Sequence, residues 1–308
     1  MLESLHVGLP HASLHIAVRK GNESLFSNHP FVQKVIVWDK KGGKYKELLR
    51  TLNIIRNERY DLVLNLQRFA SSGLLTIFSG AKQTRGFAKN PLSMFFTKRF
   101  EHILGKKGDE VYTHEIDRNH ELITDIAGEK AMMPRIYPPK VSLPATPYVV
   151  IAPASVWFTK QFPAERWVEL VDALTDYHVV FVGARGDRGL VDSIISQSVH
   201  ADTANRCGEL SMLESAALMR DAAMTYCNDS APLHFCSAVD APVTAIFCST
   251  IPEFGFGPLG KKAHVVQTPE KLACRPCGLH GYKACPQKHF ACAKGILIRD
   301  LLTPLNHE

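Results

Sequence analysis

The sequence predicts an α/β protein of two doubly wound domains whose parallel sheets face each other across a cleft. Three observations carry that expectation. Short runs of apolar, β-branched residues alternate with stretches of helical periodicity in both halves of the chain. At 308 residues the chain exceeds what one hydrophobic core comfortably serves. Between the two series lies Pro138-Pro-Lys-Val-Ser-Leu-Pro-Ala-Thr-Pro147, with four prolines in ten residues. Such a stretch suits neither a helix nor a central strand and reads as a linker. The domains are therefore expected at 1–140 and 147–308, with the last helix able to cross back to the first.

In order along the chain, residues 1–8 read as the second half of a helix that Pro10 closes. Residues 13–18 and 35–38 alternate as strands do. Residues 45–57 place Leu48, Leu49, Leu52 and Ile55 on one helical face. Residues 61–66 read as a buried strand, 71–79 as a short helix and 83–87 as a strand. Residues 114–127 read as one helix, with Ile116, Ile123 and Ile126 turned partly inward. After the prolines the pattern restarts with strands at 148–151 and 179–182 and helices at 165–174, 187–196 and 212–220. The apolar run from Ala222 then leads into Tyr226-Cys-Asn-Asp-Ser-Ala-Pro-Leu-His-Phe235, read as strand, polar turn and helix, followed by a strand at 243–247 and a last short helix at 295–301.

Composition narrows the function classes. Apolar residues make up 45% and charged residues 21%, as in globular proteins. The sequence has no run of 18 apolar residues and no basic-then-apolar leader at its start, so a cytoplasmic protein is expected. Thirty-six basic and 30 acidic side chains leave a net charge of +6. That balance suits anionic ligands or an anionic membrane surface. Without a zinc-finger helix, an RNP motif or a dense basic stripe, it does not point to nucleic acid.

Four turns could carry chemistry. Asp229 and Ser230 sit where a strand hands over to a helix, and both are good N-cap residues. There, helix N–H groups and the positive end of the dipole face outward. The site either recognises phosphate or sugar, or Asp229 simply caps the helix. The loop Pro153-Ala-Ser-Val-Trp-Phe-Thr-Lys-Gln-Phe-Pro163 brings Ser155, Thr159 and Lys160 to the start of another helix. A hydroxyl, an ammonium and a helix N-terminus together can hold a diphosphate; otherwise this is a solvated loop. The Gly-x4-Gly-Lys spacing of a Walker loop is absent. The turn Val182-Gly-Ala-Arg-Gly-Asp187 could receive a ribose, and the glycines of Phe254-Gly-Phe-Gly-Pro-Leu-Gly260 either approach a ligand or only make turns.

In this order the segments resemble the bacterial lipopolysaccharide heptosyltransferases, glycosyltransferase family 9. The first C-terminal loop of that family is matched by Pro153, Ser155, Lys160, Phe162 and Pro163. Its nucleotide-sugar signature is matched by Asp229-Ser-Ala-Pro-Leu-His234 and its Gly-Pro-x-Gly loop by Gly257-Pro-Leu-Gly260. In the first half, Tyr60-Asp-Leu-Val-Leu-Asn-Leu-Gln67 and His114-Glu-Ile-Asp-Arg-Asn119 resemble a family strand and helix start.

The resemblance implies a GT-B fold of two Rossmann-like domains and inverting transfer of heptose from ADP-heptose to the lipopolysaccharide inner core. It puts Lys160 and Asp229 at the reaction centre. Ser155, Thr159, Lys160, Asp187, Asp229, Ser230, Ala231, His234 and Gly257 fall on the donor side, with His234 either facing the ligand or buried. Arg68, Ser71, His114 and Arg118 fall on the acceptor side, where Arg68 stands in place of the family's usual glycine. A Lys and a helix N-terminus would meet the departing ADP, so no catalytic metal and no cofactor are expected. The acceptor would be a lipid-linked saccharide at the inner leaflet. The aromatic-basic segment Met94-Phe-Phe-Thr-Lys-Arg-Phe100 would suit peripheral membrane contact, or form a partly buried loop.

The family begins with a strand and a Gly-Asp whose Asp is its proposed general base. No such segment stands here, and residues 1–5 match the helix that follows it. The chain is therefore expected to be truncated by roughly fifteen residues and weak in transfer, with donor binding retained. The alternatives are a non-catalytic nucleotide-sugar-binding protein, or the same fold serving another sugar. Finally, Cys274, Cys277, Cys285 and Cys292 form a late cluster, open to structural zinc, disulfides or free thiols. Cys207, Cys227, Cys236 and Cys248 sit in apolar contexts and read as core.

Overall fold

A computed structural model describes residues 1–306, with Lys44 and Asn306 described by their backbone alone. The chain divides into two compact units, one of Met1–Leu104 with Thr113–Pro134, the other of Gly105–Tyr112 with the chain from Arg135 onward. The boundary differs from the one the prolines suggest. The stretch 138–147 belongs to the second unit, where Ile136 N–H donates to Ala238 O and Val141 packs on the core.

In the first unit, helix α1 (Leu2–Gly8) leads to strands β1 (Leu14–Arg19) and β2 (Val32–Trp38), helix α2 (Lys44–Glu58) and strand β3 (Leu62–Asn65). Helix α3 (Ala70–Ile77), strands β4 (Gln83–Phe87) and β5 (Lys98–Phe100), and the short helices α4 (Glu115–His120) and α5 (Thr124–Ala127) complete it. All ladders are parallel, but they form two sheets, β1-β2 and β3-β4-β5. No ladder joins β1 to β3 among the described residues. This explains a departure from the sequence reading: three of the four residues of β3 are only half-buried, because one edge of the strand has no neighbouring strand. Leu48, Leu52 and Ile55 of α2 pack as the period predicts, whereas Leu49 is 60% exposed at the margin of the apolar face. The helix expected at 114–127 is broken by a 3₁₀ turn, Glu121–Ile123, that drives Leu122 and Ile123 fully into the core.

The second unit contains strand β6 (Tyr148–Ala152), helix α6 (Ala164–Asp172), strand β7 (His178–Phe181), helix α7 (Arg188–Gln197), strand β8 (Thr203–Asn205) and helix α8 (Met212–Asp221). Strand β9 (Met224–Asn228), helix α9 (Ala231–Val239), strands β10 (Val243–Phe247) and β11 (Ala263–Gln267), and helices α10 (Ala291–Lys294) and α11 (Ile298–Asn306) follow. One parallel sheet runs β11-β10-β9-β6-β7-β8. Strand residues alternate between its faces. Val149 and Ile151 join Trp167, Leu170 and Ile194 on one side, while Tyr148 and Val150 join Leu218 and Leu233 on the other. The first of these cores also takes Leu301 and Leu305, so α11 packs on α6 and β11 within this unit. Its amphipathic face finds its apolar partner there.

The chain runs outward from β6 through β7 to β8, then returns to lay β9 on the other side of β6. That reversal is a topological switch point, where open parallel sheets leave a crevice at the strands' carboxyl ends.

Candidate active site

The carboxyl ends of β6 and β9 carry the two loops singled out in the sequence. Asn228, the last residue of β9, is fully buried and ties them together. Its Nδ2 donates to Pro153 O at 2.7 Å, and its Oδ1 accepts the Phe162 N–H at 2.9 Å. Both ends of the 153–162 loop are thereby fixed to β9. Inside the loop, a 3₁₀ turn (Phe158–Lys160) directs Lys160 at Asp229, and Nζ lies 2.7 Å from Oδ2. Thr250, just beyond β10, donates its hydroxyl to the same oxygen at 2.6 Å. Asp229 is only 7% exposed, so the carboxylate is held by one cation and one hydroxyl in a poorly solvated position, where both partners are needed.

This geometry bears on the capping role of Asp229. The carboxylate does not cap α9. The N-cap position is Ser230, which makes no capping bond and whose hydroxyl turns back to Asn228 O at 3.3 Å. Pro232 carries no N–H and the Leu233 N–H donates to Ser230 O at 3.2 Å, so the N–H groups left at this terminus are those of Ser230 and Ala231. An ammonium has three N–H donors, so Lys160 can keep one on Asp229 and offer others to an anion. A cation and a helix N-terminus thus stand together at the switch point.

A family model for glycosyltransferase family 9 (heptosyltransferase) matches residues 48–282, well over half of the chain and all of this site. The chain belongs to glycosyltransferase family 9.

The relatives agree. Lipopolysaccharide heptosyltransferase 3 of Escherichia coli is 21% identical over 271 residues, covering 81% of this chain and 78% of that protein. The solved ADP-heptose LPS heptosyltransferase II of E. coli superposes with a TM-score of 0.74 at 21% identity, covering 99% of this chain and 93% of the other. E. coli heptosyltransferase WaaC, solved with ADP, gives 0.70 at 20% identity and covers 87% and 88%. At these identities the structures establish the shared fold, GT-B. The protein is thus a heptosyltransferase-family glycosyltransferase, and among the described residues no helix is long and apolar enough to cross a membrane.

The other residues named from the sequence take varied places in this family-9 chain. Ser155 is half-buried in the loop, with its carbonyl accepting from Gln161 Nε2. Thr159 lies beneath the loop at 1% exposure, where its hydroxyl accepts from Ser249 Oγ and the Tyr282 N–H, so it fastens the loop and does not face a ligand. Asp187 accepts the Ala184 N–H at 2.8 Å and closes its own turn. Ala231 and His234 are exposed on α9, which removes the buried reading of His234. Gly257 is buried with room for a Cβ, and the turns around it fall to Gly255 (φ +86°) and Gly260 (φ +122°).

In the first unit, Arg68 is exposed beside Phe69, and Ser71 lies in the first turn of α3. His114 is the N-cap of α4, its Nδ1 accepting from the Ile116 N–H. Arg118 is 2% exposed and is engaged by Glu115 and Thr113 O, so its guanidinium anchors the start of α4.

The zinc expectation does not fit. Cys274 Sγ lies 3.8 Å from His289 Nε2 and the Cys277 thiol points to Cys274 O, but no three His, Cys, Asp or Glu side chains among the described residues are placed to hold one ion. All eight cysteines are free thiols. Cys207, Cys227, Cys236 and Cys248 are buried as expected, and burial lifts the Cys236 thiol to about 12.

Sequence reasoning missed Asn228, Thr250, Ser249 and Arg275. Asn228 stood inside the quoted motif, directly before Asp229. The others lie beyond β10 with no local pattern to mark them.

Proposed function

We propose that the chain transfers heptose from ADP-heptose, with inversion at the anomeric carbon, to a saccharide of the lipopolysaccharide inner core. The observation that carries this is the Lys160–Asp229 pair at the switch point, beside the start of α9. An acceptor oxygen attacks the anomeric carbon and gives its proton to a base. The bond from that carbon to the diphosphate breaks, and ADP leaves with the electron pair. Lys160 and the α9 N–H groups meet the charge that develops on the leaving diphosphate. Asp229 and Thr250 hold Lys160 in place.

On the first unit, exposed Arg68 and half-buried Ser71, with His114, are the side chains assigned to the acceptor, and Arg118 supports them from α4. Met94 and Phe95, 70% and 63% exposed beside exposed Lys98 and Arg99, suit contact with an anionic bilayer surface that carries the acceptor.

The test is to supply ADP-heptose with an inner-core acceptor and follow ADP release and the anomeric configuration of the product. Acceptor-dependent release with an inverted product is expected. Faster transfer from a UDP- or GDP-sugar, or retention, would overturn the assignment.

A further inference from the structure

The segment from Arg275 to Tyr282 lies against the donor-side pair from beneath, and no motif assigns it a role. Arg275 is buried, and its guanidinium reaches four oxygens. Nε donates to Cys248 O at 2.7 Å, and Nη2 reaches Phe247 O at 3.1 Å, Thr250 O at 2.7 Å and Gln267 Oε1 at 2.7 Å. The three backbone carbonyls belong to the end of β10 and the turn after it, and Gln267 closes β11 alongside. A planar fork of donors spread over separate nitrogens spans fixed oxygens more widely than the point charge of a lysine ammonium. Lys107 in turn donates to the carbonyls of Leu272 and Arg275, each at 2.8 Å, and pins the segment from outside.

Two residues of the gathered turn reach the site. Thr250 donates to Asp229, and Ser249 Oγ donates to Thr159 Oγ1 at 3.0 Å, next to Lys160. The segment then crosses to the Lys160 loop directly. Cys277 N–H donates to Ser249 O at 2.8 Å, Tyr282 N–H to Thr159 Oγ1 at 2.8 Å, and Thr159 N–H to Tyr282 O at 3.1 Å. At Gly281, with φ +77°, a Cβ would stand 2.9 Å from Thr159 Oγ1 and 3.0 Å from Lys160 Cγ. The stem of Lys160 therefore lies on bare backbone.

We propose that Arg275–Tyr282 is a positioning strap for the donor diphosphate. Arg275 acts through Thr250 on Asp229, and Gly281 seats the stem of Lys160, so the direction of the ammonium is set by residues that never touch the donor. The proposal rests on the assignment of Lys160 to a diphosphate made above.

Thr250→Val, Gly281→Ala and Arg275→Lys are each made in the parent chain and in a Lys160→Ala background, and ADP affinity is measured by calorimetry. Each is expected to weaken ADP binding by about tenfold in the parent and by less than about twofold once Lys160 is gone. Equal losses in both backgrounds, or no loss in the parent, overturn the strap. If Arg275→Lys does not fold, Thr250→Val and Gly281→Ala decide alone. Should Lys160→Ala bind ADP as the parent does, the diphosphate assignment fails first, and the two failures are thereby told apart.

Discussion

Lys160 Nζ and Asp229 Oδ2 lie 2.7 Å apart, their side chains 15% and 10% exposed, at the carboxyl ends of two adjacent central strands. A pair this poorly solvated depends on both members, since either charge left alone would be costly there. Asp229→Asn keeps the shape and the hydroxyl contact but removes the charge that holds the ammonium. Transfer by this variant is expected to fall by about a hundredfold, with the thermal midpoint lowered as well. Turnover within a factor of two of the parent would contradict a role for Asp229 in the site.

The second unit is held by a core in which Trp167, fully buried, meets Phe162 edge-on at 5.3 Å. Phe162 follows the Lys160 loop directly, so this contact joins the core to the site. Trp167→Ala is expected to cost about 3–5 kcal/mol, read from urea denaturation, and to weaken ADP binding along with it. A cost below 1 kcal/mol would mean the core closes around the gap.

The first unit should respond to pH through His102. Burial holds its imidazole below the ordinary 6.5, against the opposing pull of Glu115, whose carboxylate lies 3.0 Å away. The unfolded chain therefore takes up a proton that the folded unit resists. The stability from this group is complete above pH 6.5 and is withdrawn as the pH falls below it. Urea midpoints at pH 7.5 and 5.5 should differ less in His102→Gln than in the parent. Equal differences would contradict the assignment.

The thiols give a further check. Cys274, Cys277 and Cys285 are partly exposed, whereas the other five are buried. Burial lifts Cys207 and Cys292 to about 11, and Cys227 and Cys248 well above the ordinary thiol value. A disulfide reagent at pH 7.5 is expected to label three thiols in the native protein and eight after unfolding. Rapid labelling of a fourth native thiol would contradict this burial.

The second unit of the fold was legible because its signals are local. Tyr148–Ala152, set between Pro147 and Pro153, could hardly be anything but a buried strand, and Asp229 stood at a strand-to-helix turn. What the carboxylate does was not legible, because its partner Thr250 is 21 residues away in sequence and Arg275 acts on oxygens 25 to 28 residues away. Spacing alone cannot show that a side chain will bridge such distances. Thr159 misled for a related reason: a hydroxyl beside Lys160 reads as a ligand group until the loop's twist turns it inward onto Ser249 and Tyr282. In the first unit, the period of α2 was right for Leu52 and Ile55 and wrong for Leu49, since periodicity gives the centre of an apolar face but not its width.

The central claim is that Lys160 holds the donor's diphosphate, and titration of ADP into the parent chain and into Lys160→Ala tests it most directly. The account predicts that ADP binds the parent and that the variant binds it at least about tenfold more weakly. Unchanged ADP affinity in the variant would contradict it.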